Sequence, residues 1–483
     1  MSTQIFLMPF LVFLLPSLYL LLLRQRKKPD QAKIRLPPGP RKLPLVGNLH
    51  QLGGMPHRSL QRLSAEYGPL MFLQLGFIPT LIVSSADMAR EIFKTHDHVF
   101  SGRPVLYAAK SLSYNLSAVS FAPYGNYWRE VRKIVILELL SAKRVQSFQS
   151  VRDEEVAHML DSVSLSSGPV NLSELTLSLA NNIVCRVAFG KKYDGGESDS
   201  KSGVHQTLRE TQDLLGGFCI ADFFPWMGWL NKFNGLEERV EKNVRQLDEF
   251  YEKVIEEHRS SKPETDEDLV GVLLRIQKDS NQELPLHIDQ IKAVLTDMFI
   301  AGTDTSSATI VWIMSELIRN PSVMQRAKVE VREIVKGKQK VEESDLLKLI
   351  YLKSIVKEGF RLHPPAPLLV PRETTESCTI EGYHIPAKTR NPKEFRPERF
   401  LDSSVDFRGQ HFELLPFGAG RRGCPGIQFA TQLIELALAN LLHRFDWEMA
   451  DGVRREELDM EEAVGLTTHK NVPLLLVAKP LTF

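Results

Sequence analysis

The chain has 483 residues, of which 25% are charged, and its formal net charge is +1. This length can bury one large core or two ordinary ones, so it leaves the number of domains open. The near-neutral charge gives no indication of a nucleic-acid partner, and none is predicted. The four cysteines stand far apart without CxxC spacing, which argues against a disulfide framework or a zinc site; they are Cys185, Cys219, Cys378 and Cys424.

The N-terminus is predicted to anchor the protein in a membrane. Residues 5–23 carry no charge, and the basic stretch RQRKK follows at 24–28. A helix of 19 residues is about 28 Å long, which is close to the thickness of the hydrocarbon core. A cleaved signal peptide is the alternative, but its apolar core would be shorter and a small-x-small cleavage site would follow it.

The basic residues after the apolar span predict that the body of the protein faces the cytosol. We therefore assign residues 1–28 to the anchor and its basic stop. Residues 29–48 are predicted to form a proline-rich strap, because the prolines of LPPGPRKLPLVGN favour a stiff, extended chain.

The body, residues 49–483, is predicted to be mainly α with small β-sheets. Helical patterns dominate it, and β-branched extended pieces occur near 81–85 and 472–479. The longest helical pattern runs from about His287 to Arg319. A helix of that length spans about 50 Å and should cross the whole body.

The stretch PFGAGRRGCPG at 416–426 places Cys424 among glycines and arginines. The glycines allow tight turns and a close approach of the backbone to a flat ligand. After Gly426, apolar residues recur on one face of a predicted helix, at Ala430, Leu433, Ile434, Ala437 and Leu441. A cysteine at a helix N-terminus beside two arginines should favour the thiolate, which could act as a nucleophile or as a metal ligand. No histidine partner is evident in the sequence to support the nucleophile.

The spacing of Phe417, Gly420, Arg422, Cys424 and Gly426 strongly resembles the haem-binding loop of the cytochrome P-450 family. In that family the cysteine thiolate is the axial ligand of the haem iron and favours O–O cleavage. The resemblance implies that this chain binds haem b through Cys424 and has the cytochrome P-450 fold. It also implies that Phe417, Arg422 and Gly426 contact the cofactor.

The long predicted helix contains AGTDTSS at 301–307. A mid-helix glycine costs about 1 kcal/mol, and taken alone this stretch is equally well explained as a kink with solvated hydroxyl groups. The resemblance implies that Gly302 leaves room above the haem. It further implies that Asp304 and Thr305 deliver protons through water to bound dioxygen.

Two further motifs fit the same resemblance. In KEGFRLHPP, Glu358 and Arg361 stand three residues apart, a spacing that contributes only a few tenths of a kcal/mol on an exposed helix. The resemblance implies that they and Arg399 of FRPERF form a buried cluster with a structural role beneath the haem. Gly359, between them, departs from the family pattern.

WREVR at 128–132 places Trp128 and Arg132 one helical turn apart. Buried haem propionates need cationic and N–H partners. The resemblance implies that the propionates are held by Trp128, Arg132, Arg372 and Arg422. It places the pocket walls at 102–123, 294–305, 366–370 and 465–468.

The apolar character of these walls predicts a lipophilic small-molecule substrate. Stretches such as APYGNYWREVRK most resemble plant microsomal members, which commonly oxidise terpenoids, alkaloids or phenylpropanoids. The resemblance implies electrons from an NADPH-dependent cytochrome P-450 reductase, with cytochrome b5 as an optional further partner. It implies location in the endoplasmic reticulum membrane, with a single span and a cytosolic catalytic domain.

The sequence departs from the family at one junction. YHIPAKTR at 383–390 runs directly into NPKEFRPERF at 391–400, where the family has a strand and a short helical turn of roughly fifteen residues. We interpret this as an excision between 390 and 391, which a spliced form or a gene-model error would both produce. The alternatives to a monooxygenase are a haem-thiolate isomerase or dehydratase, against which Asp304 and Thr305 argue, and a haem-deficient, non-catalytic membrane protein.

Overall fold

The computed structural model describes residues 36–192, 200–260, 268–279, 285–376, 396–401, 403–463 and 465–481. The predicted anchor, the first part of the strap, and the junction at 390–391 lie outside these residues. Across the described ranges, no helix combines the length and the apolar character that crossing a bilayer requires. The membrane anchor therefore stays a prediction.

Helices make up most of the described chain, as predicted. In chain order they are α1 Pro56–Tyr67, α2 Ala86–Arg90, α3 Tyr107–Leu112, α4 Asn126–Ile134, α5 Ala142–Ser147, α6 Gln149–Leu165, α7 Leu172–Phe189, α8 Ser200–Gly216, α9 Ile220–Phe223, α10 Leu236–Ser260, α11 Leu269–Lys278, α12 Ile288–Arg319, α13 Pro321–Ile334, α14 Ile350–Leu362 and α15 Ile427–Arg444.

Two small antiparallel sheets complete the described fold. Strands β1 (Leu70–Leu75) and β2 (Ile78–Val83) form a hairpin. The second sheet has the order β3, β5, β4, with β3 at Val170–Asn171, β4 at Phe445–Met449 and β5 at Leu475–Pro480. The strands predicted near 81–85 and 472–479 therefore exist, each shifted by a few residues. Together with the helices, they confirm a mainly α fold with small sheets.

The central element is α12, whose 32 residues agree closely with the predicted helix. It begins after His287, which forms a reciprocal cap with Gln290, and it ends at Asn320 just before Pro321. Residues 306–318 are buried without interruption, because α12 packs against α7, α14 and α15. Of the stretch 301–307, Thr303, Ser306 and Ser307 are buried, whereas Gly302, Asp304 and Thr305 are partly buried and Ala301 is exposed.

Helix α15 begins directly after Gly426, as the apolar spacing predicted. Leu433, Ile434, Ala437 and Leu441 are almost fully buried against the core. The helix thereby fixes the end of the 416–426 loop, and that loop carries Cys424 to the edge of the same core that surrounds α12.

Candidate active site

Backbone hydrogen bonds fold the 416–426 loop tightly around Cys424. The Cys424 N–H donates to the Phe417 carbonyl at 2.9 Å, and the Gly423 N–H donates to the Gly420 carbonyl at 3.0 Å. Gly420 has a φ of 67°, and a Cβ there would collide with the Asp97 carboxylate and the Phe93 carbonyl. Glycine is therefore required at this position both by the turn and by its neighbours.

The Cys424 sulfur accepts a hydrogen bond from the Gly426 N–H at 3.3 Å. Burial raises the pKa of the Cys424 thiol, while the Gly426 amide and the Arg132 guanidinium act to lower it. The expectation that the adjacent Arg421 and Arg422 favour the thiolate was wrong, because the guanidinium that acts on this pKa is that of Arg132. Arg421 pairs instead with Asp97, at 3.0 Å, and the nitrogens of Arg422 bond to backbone carbonyls.

A cation bound directly to the sulfur would overcome this burial, because a metal deprotonates a coordinating thiol. Within the described ranges, no group of three or more His, Cys, Asp or Glu side chains could hold a bare metal ion. The donor set of this loop fits a metal carried by an organic cofactor.

Four residues predicted to hold the propionates lie in one cluster. The Trp128 ring centroid is 4.2 Å from the Arg422 guanidinium carbon and 5.3 Å from that of Arg132. Arg372 belongs to the same cluster, because its positive charge and that of Arg132 help to lower the pKa of Arg422 to about 10. Burial is the largest cause of that lowering.

Backbone carbonyls hold these side chains in place. The Trp128 Nε1–H donates to the Val119 carbonyl at 3.0 Å. Arg132 donates to the Gly423 carbonyl, and Arg372 donates to the Ala419 carbonyl. Arg422 donates to three carbonyls, those of Ser101, Val119 and Ala122. The side chains are therefore fixed before any ligand binds.

Arg103, which the sequence reasoning missed, adds a further buried cation. Its pKa is lowered to about 9, mainly by burial and then by Arg422 and Arg372. Asp97 offsets part of this charge, because it lies 3.4 Å from Arg372. Buried cations are costly unless anions neutralise them, so this excess of arginines fits a ligand with carboxylate groups on one edge.

The mid-helix residues of α12 have specific partners. Thr305 Oγ1 donates to the Ala301 carbonyl at 2.6 Å, and Asp304 Oδ2 lies 2.9 Å from His469 Nε2. His469 was missed, since a lone histidine 165 positions away leaves no local pattern. Its side chain is 38% exposed and that of Asp304 is 14% exposed, so His469 is the more accessible of the two to solvent.

Gly302 has a packing role that the sequence did not reveal. A Cβ at this position would come within 2.9 Å of Val184 Cγ2, so the close approach of α12 to α7 requires glycine. Gly359 has the same explanation on the other side of α12, because its Cβ would collide with Ile313. Room above the haem at Gly302 stays a prediction.

The structure brings Glu358, Arg361 and Arg399 together. The fully buried Glu358 carboxylate accepts from Arg361 Nε at 2.7 Å and from Arg399 Nε at 3.0 Å. It also accepts from the Arg396 backbone N–H at 2.8 Å. The chain that follows the apparent junction thus still reaches α14, and Phe417 packs against the same helix with its ring centroid 5.1 Å from that of Phe360.

A large apolar groove lies along β2 and residues 364–376. It includes Ala366–Val370 of the predicted pocket walls, and it continues past Leu215 to Phe218. Residues 294–305 and 465–468 do not line it, so this groove is distinct from the predicted space above the haem.

The Cys424 thiol and the arginine-rich rim beside it together fit a flat metal cofactor with acidic edge groups. Haem meets both requirements, and the fold and site define a haem-thiolate protein. The chain belongs to the cytochrome P-450 family, whose model matches residues 37–476. Members of this family are oxidoreductases of the monooxygenase type that bind haem iron through a cysteine thiolate.

Several plant relatives match nearly the whole chain. Cytochrome P-450 71A9 of Glycine max is 62% identical over 491 positions, covering 97% of this chain and 98% of the relative. Strychnine-11-hydroxylase of Strychnos nux-vomica is 56% identical over 501 positions, covering 99% and 98%. A zebra fish cytochrome P-450 structure with abiraterone has a TM-score of 0.73 at 24% identity, covering 89% of this chain and 100% of that one, and supports the fold.

Both plant alignments are longer than the chain itself. Because 97% of 483 residues is about 469, about 22 of the 491 positions shared with the Glycine max relative lie opposite gaps in this chain. The alignment with the Strychnos relative leaves a similar excess of about 23. This chain therefore lacks residues that both relatives have.

Proposed function

We propose that this protein is a microsomal monooxygenase that inserts one oxygen atom of O2 into a lipophilic plant specialised metabolite, such as a terpenoid, alkaloid or phenolic. The observation that carries the proposal is the Cys424 loop, whose sulfur accepts a hydrogen bond from the Gly426 N–H and which has an arginine-rich rim beside it. The hydroxylase of strychnine, 56% identical, supports a bulky lipophilic substrate.

Haem, when bound, supplies the iron at which dioxygen is activated. Cys424 would hold that iron, and the Gly426 N–H would stabilise negative charge on the sulfur through its 3.3 Å hydrogen bond. Arg132, Arg372 and Arg422 would hold the carboxylate edge of the cofactor. The single N–H of Trp128 donates to Val119 instead, and its ring packs against Arg422.

Two residues of α12, Asp304 and Thr305, would deliver protons to the reaction. Asp304 exchanges its proton with solvent through His469, 2.9 Å away. Thr305 uses its own hydroxyl proton in the bond to Ala301, which leaves its oxygen as an acceptor for a water molecule. Protons therefore reach the reaction through Asp304, while Thr305 positions the water that carries them.

We also propose that electrons come from an NADPH-dependent cytochrome P-450 reductase, with cytochrome b5 as a further donor. The protein would be held at the endoplasmic reticulum membrane by residues 1–28, with the domain in the cytosol. The support is the basic stretch at 24–28, which favours this orientation.

A reduced carbon monoxide difference spectrum of membranes that carry the full chain tests the haem-thiolate assignment. We expect the thiolate-type band in the wild type and its complete loss in Cys424→Ser, with membrane association unchanged. A band that survives Cys424→Ser would remove Cys424 from the iron. Product formation that requires neither NADPH nor O2 would favour the isomerase or dehydratase alternative.

The proton-delivery roles need a separate test. We expect Thr305→Ala combined with Asp304→Asn to retain haem but to divert electrons from product to peroxide. The ratio of product to NADPH consumed should fall by on the order of a hundredfold, the lower end of what general acid catalysis contributes. An unchanged ratio in an active preparation would contradict these roles.

One observation favours a second candidate, a haem-deficient variant. The chain lacks about 22 positions that the Glycine max relative has, although the residues that would contact haem are all present. Absence of any haem band in the wild type, with intact membrane association, would support this candidate.

A further inference from the structure

The 416–426 loop is held from a distant part of the chain by the carboxylate of Asp97. The Arg421 backbone N–H donates to both oxygens of this carboxylate, at 3.2 Å each. The Arg421 side chain returns to the same group, because its Nε lies 3.0 Å from Asp97 Oδ2. Asp97 therefore contacts the loop three residues before Cys424, through the main chain and the side chain of one residue.

The Asp97 carboxylate lies directly against the backbone of the loop. A Cβ at Gly420 would collide with Asp97 Oδ1, so the glycine makes room for the acid. The Asp97 side chain is only 13% exposed. Hydrogen bonds to an ionised carboxylate are stronger than those between neutral groups. The bond from the Arg421 N–H should therefore hold the loop more firmly than a bond between two backbone groups.

The turn that carries Asp97 is itself ordered by its own hydrogen bonds. Asp97 lies between the helical turn Glu91–Thr95 and the short 3-10 turn Val99–Ser101. The His96 N–H donates to the Glu91 carbonyl at 2.8 Å and closes the first of these turns. The carboxylate therefore reaches the loop from a fixed position.

A second arginine connects the same turn to the loop. The Arg372 guanidinium carbon lies 4.4 Å from the centroid of the Phe93 ring, and Arg372 Nη1 lies 3.4 Å from Asp97 Oδ1. Arg372 Nη2 donates to the Ala419 carbonyl at 2.7 Å. Asp97 thus pairs with two arginines, Arg372 and Arg421, that both contact the loop within residues 419–421.

We propose that Asp97 is a positioning residue that, by accepting the Arg421 backbone N–H, holds the 416–426 loop in shape with or without haem and thereby slows the release of haem. The proposal rests on the proposed haem-thiolate function, because this loop would present the Cys424 sulfur to the iron. A site that the protein holds in its binding shape pays less ordering entropy when the ligand enters.

Two variants of Asp97 and one control test this role. Asp97→Ala removes every acceptor, whereas Asp97→Asn keeps one oxygen for the Arg421 N–H. Asp345→Ala is the matched control, because the Asp345 side chain is 6% exposed, accepts from the Glu342 backbone N–H at 3.2 Å and lies 2.9 Å from Lys338 Nζ. These partners of Asp345 lie outside the 416–426 loop.

The first measurement is hydrogen exchange of the 417–426 amides in the full-length chain, prepared with and without haem. We expect exchange about tenfold faster in Asp97→Ala, near wild-type exchange in Asp97→Asn, and no change in this segment in Asp345→Ala. Exchange in α12 should stay constant in all variants.

Three results of the exchange measurement would overturn the proposal. One is unchanged exchange of the loop in Asp97→Ala. Another is equal acceleration in the loop and in α12, because Asp97 would then stabilise the fold as a whole. The third is equally fast exchange in Asp97→Asn and Asp97→Ala, because the Arg421 N–H would then not be the group through which Asp97 acts.

The second measurement is the rate at which haem-containing samples lose haem to an excess of apomyoglobin. We expect this rate to rise about tenfold in Asp97→Ala, together with a smaller share of the thiolate-type band in the carbon monoxide spectrum, and to stay near the wild-type value in Asp97→Asn. Faster exchange of the loop with an unchanged rate and an unchanged spectrum would overturn the proposal. The carbon monoxide spectrum of the wild type reports separately on the proposed function.

Discussion

The cysteine side of the molecule and the β2 side differ in how their backbone groups are paired. Around Cys424 and Glu358, backbone and side-chain groups meet partners at 2.7 to 3.3 Å. Along β2, no strand within the described ranges pairs with the edge that faces away from β1, and the apolar groove lies beside this strand. The contacts among the residues that would bind haem are thus formed, while one edge of the hairpin has no paired strand among the described residues.

The orientation of the β2 edge follows from the hairpin register. The Phe72 N–H donates to the Pro38 carbonyl, away from β2, so the backbone groups of its partner Leu81 point away from β1. The same reasoning applies to Val83, the partner of Leu70 two residues further on. Within the residues that the structure describes, no third strand pairs with this edge. An uncharged edge such as IPTLIV favours unwanted strand pairing.

The largest effect on stability is expected from a substitution in the Glu358 cluster. We expect Glu358→Ala to lower the free energy of unfolding by about 3–5 kcal/mol, because it leaves Arg361 and Arg399 without their buried partner. Denaturant titration measures this loss. Glu435→Gln is the control, since burial raises the pKa of Glu435 to about 7 and a neutral amide resembles its protonated form. Equal losses in both variants would contradict the importance of the Glu358 cluster.

The next largest effect is expected from restoring a segment between Arg390 and Asn391. We expect insertion of a segment of about fifteen residues, resembling that of the family, between Arg390 and Asn391, where the sequence predicts an excision, to raise haem occupancy and thermal stability. Each buried backbone group that gains a partner contributes about 1–3 kcal/mol. An insert of equal length made of Gly and Ser is the control. Equal haem binding by the unmodified chain and by both inserted forms would show that the missing segment does not affect haem occupancy.

The stability difference between the wild type and Asp297→Asn is expected to depend on pH, because burial disfavours the ionised Asp297 carboxylate. Burial raises its pKa to about 6, opposed by the Ser120 hydrogen bonds and by Arg103; Tyr127 and Tyr251 also face it. Its ionisation therefore opposes folding as pH rises through about 6. The full cost of ionising Asp297 is about 3 kcal/mol, and about half of it falls between pH 5 and 7.5. Asp297→Asn, which cannot ionise, should therefore gain about 1.4 kcal/mol relative to the wild type from pH 5 to pH 7.5.

Thermal denaturation at pH 5 and at pH 7.5 checks the Asp297 prediction, with Asp345→Asn as the comparison. Lys338 and the Glu342 amide outweigh burial and lower the pKa of Asp345. That control should therefore lose stability at both pH values. A constant difference between Asp297→Asn and the wild type would show that Asp297 does not titrate in this range.

The smallest effect is expected from a charge on the β2 edge. Leu81 lies on the less buried face of the hairpin, so Leu81→Lys should change the free energy of unfolding by only about 0.5 kcal/mol. It should nevertheless reduce self-association, measured by sedimentation in detergent, because edge lysines oppose strand pairing. Leu137→Lys, at an exposed leucine, is the matched control. Equal self-association of both variants would show that β2 is not the contact.

Features encoded locally could be predicted from the sequence. The bounds of α12 follow from a cap at His287 and from Pro321, and the start of α15 follows from Gly426 and the apolar spacing after it. Both depend on residues within a few positions of each other. The family resemblance then supplied the haem ligand and the Glu358 cluster.

Contacts between distant parts of the chain could not be predicted in this way. Asp97 meets Arg421 across 324 positions, and Arg103 meets Val370 across 267, so neither leaves a local pattern. The error over the arginines beside Cys424 has a related cause. The tight turn at 420–422 directs Arg422 towards the carbonyls at Ser101, Val119 and Ala122 rather than towards the sulfur.

Backbone hydrogen bonds hold the chain in place on both sides of the 376–396 interval. Before it, the N–H groups of Glu373 and Thr375 donate to the Gly102 and Val99 carbonyls; after it, the Arg396 N–H donates to Glu358. An insertion or deletion between these hydrogen bonds can therefore change haem occupancy through the stability of the fold, without removing any of the residues that would bind the cofactor. Alternative exons of different length could be exchanged at this interval while the residues around Cys424 stay the same.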